Sequence, residues 1–148
     1  MIKIISLLLL CNVYLFSAGF WTLTGLEKAN IFVINKVAYL DPKTVSTGKA
    51  KMLDMLKKNG IKTNQRDSPT LMLSIKEIED ENNHYVYIKL ALGEEVQTFR
   101  SDKSATFALT YEDNDFIEVD GEELDSGVLE SIDYLLSQFV EQFEDDKE

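Results

Sequence analysis

Between Thr70 and Gly93, apolar and polar positions alternate with a period of two on both sides of a polar break. Leu71, Leu73 and Ile75 interleave with Met72, Ser74 and Lys76. Beyond Glu79-Asp80-Glu81-Asn82-Asn83, Val86, Ile88, Leu90 and Leu92 interleave with Tyr85, Tyr87, Lys89 and Ala91. Alternation around a turn-rich tip predicts an antiparallel hairpin with one covered face and one wetter face. Val86, Ile88, Leu90 and Leu92 form the covered side. Tyr85, Tyr87 and Lys89, with Met72, Ser74 and Lys76 as cross-strand neighbours, form the outer one.

The same reading predicts the remaining elements. Phe20 to Glu27 is a lead-in with a bend at Gly25, and Asn30 to Tyr39 is a first strand. Its Ile31, Phe32, Val33, Ile34 and Val37 fall on both parities, which suits an interior strand. Asp41-Pro42 reads as its stop. A helix capped by Ser46 or Thr47 follows, with Ala50, Leu53 and Leu56 at helical spacing and Ile61 beyond its end. Asn59-Gly60 stops it, behind Lys57 and Lys58 at the negative end of the dipole. Ala105, Phe107, Leu109 and Tyr111 alternate as a further strand, Glu112-Asp113-Asn114-Asp115 reads as a turn, and Phe116, Ile117 and Val119 form a short run. From Ser126 to Phe143, capped by Asp125 or Ser126, Val128, Leu129, Ile132, Leu135, Leu136, Phe139, Val140 and Phe143 keep the spacing of an amphipathic core helix. Glu144 to Glu148 is a frayed acidic tail. The expected fold is α+β, a two-layer sandwich: one antiparallel or mixed sheet of about four strands, with two helices on one face, in the order β-α-β-β-β-α.

Residues 1–19 have the pattern of a secretory signal peptide. Lys3 starts it, Ile4 to Phe16 is apolar, and Ser17-Ala18-Gly19 offers a small-residue cleavage site. The alternative is an uncleaved anchor in the inner membrane, extended by Phe20, Trp21 and Leu23. Leu10 precedes Cys11 where a lipobox needs a small residue, so Cys11 reads as part of the apolar run. Cys11 is the one cysteine of the 148 residues, so the cleaved chain has no disulfide and folds on its core. Residues 20–148 form a single domain, exported to a bacterial periplasm. It has no transmembrane segment once the leader is removed.

Charge narrows the partners. The formal net charge is −11, which repels nucleic-acid phosphate and anionic lipid and leaves a protein partner as the easier expectation. It is unevenly placed: seven cations against Asp41 and Asp54 between residues 41 and 66, and fifteen carboxylates against Lys147 from residue 112 onward. Two solvated helix faces of opposite sign that attract each other account for this, and so does an acidic surface kept for a partner.

The sequence offers little chemistry. His84, the one histidine, sits near the hairpin tip and has no mature Cys and no Gly-x-Ser-x-Gly turn to act with. One His without Cys is a poor zinc set. A calcium loop counted from Asp113 meets Ile117 and Glu118 where Asp or Asn and then Gly are needed. No glycine-rich phosphate loop occurs. The expectation is a protein that is not an enzyme and holds no cofactor or metal.

Gly25-Leu26, the helix stop Leu56-Lys57-Lys58-Asn59-Gly60-Ile61, the hairpin opening Pro69-Thr70-Leu71-Met72-Leu73-Ser74-Ile75, Tyr85-Val86-Tyr87 and the closing amphipathic helix together resemble small exported bacterial proteins that pair a signal peptide with a β-α-β-β-β-α body. That group has no assigned activity, so the resemblance implies a fold and an export route. The topology is also similar to the soluble body of the lipoprotein that assists lipopolysaccharide assembly.

The leading expectation is a periplasmic binding or adaptor domain that engages another envelope protein. Its candidate contacts are Met72, Tyr85, Tyr87 and Lys89 on the outer sheet face and Glu130, Asp133 and Glu141 on the acidic helix. The alternative is a binder of a small apolar ligand or lipid, held in a cavity lined by Val86, Ile88, Leu135 and Phe139.

Overall fold

The computed structural model describes residues 22–80, 83–118 and 123–147. The leader pattern with Cys11, the Phe20-Trp21 pair, the Glu81-Asn82 tip and Val119 lie outside them. Six elements follow in order: β1 (Asn30–Asn35), α1 (Pro42–Lys58), β2 (Thr70–Asp80), β3 (Asn83–Gln97), β4 (Ala105–Glu118) and α2 (Leu124–Asp145). The strands form one mixed sheet in the order β1-β2-β3-β4, with β1 parallel to β2 and both later pairs antiparallel.

The hairpin has the expected faces. Met72 pairs with Ala91, Ser74 with Lys89 and Lys76 with Tyr87, so these share one side. Leu71, Leu73, Ile75, Val86, Ile88, Leu90 and Leu92 lie on the other side at 0–1% exposure, in one core with the apolar stripes of both helices. The molecule is therefore a two-layer α+β sandwich with the helices on one face. Among the described residues, no helix is long and apolar enough to cross a membrane.

Four local expectations are corrected. Among the described residues, β1 pairs with β2 alone and is an edge strand, not an interior one. Its apolar residues fall on both parities because alternate side chains face the helices and the bare side of the sheet. Asp41-Pro42 opens α1 instead of merely ending the strand. The Asp41 carboxylate accepts from the Lys43 N–H at 2.8 Å, and Pro42 occupies the first turn, where its missing donor is harmless. The buried stripe is therefore Thr44, Gly48, Met52, Met55 and Leu56, and Ala50 and Leu53 are exposed. Glu112-Asp113-Asn114-Asp115 is not a turn but the middle of β4, where it pairs with Ile88 to Ala91 of β3.

The fourth correction concerns α2, which begins at Leu124, with Asp125 inside its first turn. There the Asp125 carboxylate accepts from the Thr44 hydroxyl at 2.5 Å and the Asp41 N–H at 3.1 Å, tying the two helix starts together. A second tie is steric: a Cβ on Gly48 would lie 2.8 Å from Ile132 Cδ1, so the missing side chain lets the helices approach. A third is the Lys51–Asp133 ion pair at 2.7 Å.

The bare face of the sheet

Among the described residues, no helix covers the side of the sheet opposite the core. Its rows follow from the register: Phe32, Met72, Ala91 and Glu112; Ile34, Ser74, Lys89 and Asn114; Lys76, Tyr87 and Phe116; Ile78, Tyr85 and Glu118. Four large apolar side chains on it stay open to water: Phe32 at 54%, Ile78 at 41%, Phe107 at 63% and Phe116 at 56%.

Phe107 reaches this side through a β-bulge. The β3–β4 register shifts between Leu92 and Gly93, where Leu92 pairs with Tyr111 and Gly93 with Leu109, leaving Thr110 as the extra residue. Tyr111 thus points to the core, stacked edge-on to Phe139 at 5.1 Å, while Phe107 and Leu109 turn outward. The Phe107 ring covers the backbone of Gly93, and a Cβ there would also lie 3.0 Å from the tip of Met72. A side chain at Gly93 would have to displace the Phe107 ring.

Tyr87 packs against Phe116 at 4.9 Å between ring centroids, tilted by 44°. Lys89 bonds Glu112 at 3.1 Å, so its charge is answered within the face. Ser74 is buried among these neighbours, and its hydroxyl has no hydrogen-bond partner. The face thus sets an aromatic and apolar cluster among Lys76, Asn114 and Glu118, with an internal ion pair and an orphan hydroxyl.

The candidate residues separate into two surfaces. Met72, Tyr85, Tyr87 and Lys89 lie together on the bare face, each partly buried. Glu130, Asp133 and Glu141 lie exposed on α2, in the other layer, and Asp133 is held by Lys51. The sequence reading missed Phe32, Phe107 and Phe116 as members of the face. Within its own segment, Phe116 falls on the parity opposite to Tyr111 and Ile117, and that was the available signal for one of them. The four side chains that an internal lipid would have to displace, Val86, Ile88, Leu135 and Phe139, are at 0% exposure.

Among the described residues, one titratable group is strongly perturbed, and it lies in the core. Burial, reinforced by the nearby Asp113 charge, pushes the Tyr111 hydroxyl well above its ordinary value. Among the described residues, no three His, Cys, Asp or Glu side chains converge as metal ligands do.

The fold is an α+β sandwich, and among the described residues one surface of its sheet is uncovered. No protein-family model matches the chain, and no curated protein matches it.

Proposed function

We propose that this is a non-catalytic binding or adaptor domain of the cell envelope, exported to the periplasm, that engages another envelope protein through the bare face of its sheet. The observation that supports it is the cluster of Phe32, Ile78, Phe107 and Phe116 left open around Met72, Tyr85 and Tyr87. Scattered apolar side chains need no explanation, but a contiguous aromatic patch favours a protein partner, since buried aromatic anchors carry most interface energy. The leader pattern of residues 1–19 supports the envelope location.

The experiment is photo-crosslinking in cells from position 87, with position 130 on α2 as the control, followed by purification of the principal adduct and reconstitution with the pure partner. A single envelope protein that crosslinks from 87, binds in vitro and is lost on Tyr85→Ser/Tyr87→Ser supports the reading. Association that survives this double change and also survives charge reversal at Glu130, Asp133 and Glu141 ends it.

A further inference from the structure

The bare face ends at β1, whose backbone is open in a specific way. Asn30 N–H donates to Pro69 O at 2.8 Å and Lys36 N–H to Ile75 O at 2.9 Å. In a strand the N–H and C=O of one residue point the same way and alternate along the chain. The even-numbered residues of β1 therefore serve β2, and Ile31 and Val33 direct their amides and carbonyls away from it. Among the described residues, that outward side is closed at one end only. Ala29 N–H donates to Lys62 O and Lys62 N–H to Glu27 O, each at 2.9 Å, so residue 62 begins a strand along the edge. The chain then leaves through Asn64, at a positive φ of 57°. Among the described residues, no backbone group takes its place beside Ile31 and Val33.

We infer that this vacancy is a strand-addition site, and that its occupant is an extended segment of the protein partner, apolar at alternate positions and flanked by carboxylates. The inference rests on the protein-binding reading above and names how the partner attaches. Main-chain bonds to Ile31 and Val33 supply the affinity of such a mode, and side-chain pockets supply its selectivity. One side of an added strand meets Phe32 and Ile34, which continue the aromatic face. The other side meets a concavity formed by Val37, Leu40, Pro42 and Val45, where β1 passes to α1. Lys28 and Lys36 bracket the edge, and Lys49 lies on α1 between Val45 and the exposed Leu53. These lysines repel the β1 of a second copy, which brings the same charges, and attract an acidic strand.

The test uses acetylated peptides Asp-Val-Thr-Val-Thr-Val-Asp, the same peptide with Lys ends, and the Asp-ended peptide with a central Pro, titrated into the protein while amide resonances are followed. The Asp-ended peptide should bind with Kd below about 1 mM, with the Ile31 and Val33 amides shifting and exchanging more slowly. The Lys-ended peptide should be weaker by about tenfold, and the Pro peptide should not bind. Val33→Pro removes an outward N–H but none of the ladder to β2, so it should fold and lose the peptide. If Val33→Pro does not fold, Lys36→Glu with Lys49→Glu should reverse the preference toward Lys ends. Absence of binding at about 1 mM, shifts confined to residues around Phe116, or an unchanged preference in the charge-reversed protein overturns the inference. So does a mass that doubles with concentration in the wild type but not in Val33→Pro, which assigns the edge to a second copy. Tyr85→Ser/Tyr87→Ser, two strands away, should leave peptide binding within about twofold. Loss of the edge site alone thus leaves the face reading standing.

Discussion

Along β3, Val86, Ile88, Leu90 and Leu92 lie at 0–1% exposure, while Tyr85, Tyr87 and Lys89 on alternate positions stay partly open. The two sides of this one strand differ in chemistry as well as in cover. The helix side is aliphatic and interlocks with Val128, Ile132, Leu135 and Phe139. The bare side of β3 carries Tyr85 and Tyr87, and the neighbouring strands add Phe32, Met72 and Phe116, which tolerate partial hydration and make broad contacts. The difference assigns two jobs: substitutions on the covered side should cost stability, and substitutions on the bare side should cost association. Each prediction below tries to break that division.

The largest effect belongs to the covered side. Phe139 is fully buried and contacts Tyr111, so Phe139→Ala should destabilise by about 3–5 kcal/mol, read as a lower urea midpoint. A loss near that of a surface change would mean that this side is not the core.

Gly48→Ala tests the closeness of the two helices. Alanine gains up to about 1 kcal/mol of helix propensity over glycine, but its Cβ meets Ile132 Cδ1, and overpacking costs about 1–3 kcal/mol. The single change should therefore destabilise modestly. In an Ile132→Val background, which deletes that methyl, the same change should stabilise. A sign that does not reverse would show that α1 and α2 are not in close contact there.

Tyr111 gives a pH signature of the covered side. An unfolded tyrosine ionises near 10.0, whereas the buried hydroxyl holds its proton to higher pH. Above that value the native state binds more protons than the unfolded state. Stability is therefore intact below pH 10 and falls as pH rises past it, by up to about 1.4 kcal/mol per unit. Tyr111→Phe should flatten this fall in chemical denaturation at pH 9 to 11. An unchanged slope would assign it to other groups.

What the sequence disclosed follows the same division. Period-two alternation in 71–76 and 85–92 was enough to separate the faces of the hairpin, because a buried face fixes register strongly. β4 was legible as a strand from Ala105 to Tyr111, and two features hid the rest. Glu112 to Asp115 has the composition of a turn, yet carboxylates are tolerated along a strand whose far side meets water. The bulge at Thr110 then reverses parity inside an alternation that looks continuous from Ala105 to Tyr111, which hid Phe107 from the bare face. β1 looked interior because pattern alone cannot tell a second covering layer from an uncovered apolar face. Asp41-Pro42 ends a strand and begins a helix equally well, so the start of α1 depended on Lys43 N–H finding the Asp41 carboxylate.

The smallest effect on stability should come from the bare side, and it is the most diagnostic. Tyr87 and Phe116 form one cross-strand pair at 4.9 Å, and such a pair contributes about 0.5–1.5 kcal/mol beyond its burial. Tyr87→Ser should therefore lower stability by about 1 kcal/mol, a fraction of the Phe139→Ala loss. Phe116→Ser should cost about the same, and the double change little more than either alone, because the first already removes the contact. Association with the partner should behave oppositely: each single change should weaken it tenfold or more if these rings are central anchors. If Tyr87→Ser instead costs as much stability as a core deletion, the face is covered within the folded protein and its aromatic residues serve the fold. If stability holds and association falls, the aromatic residues of the bare face serve the partner and the residues of the covered face serve the fold.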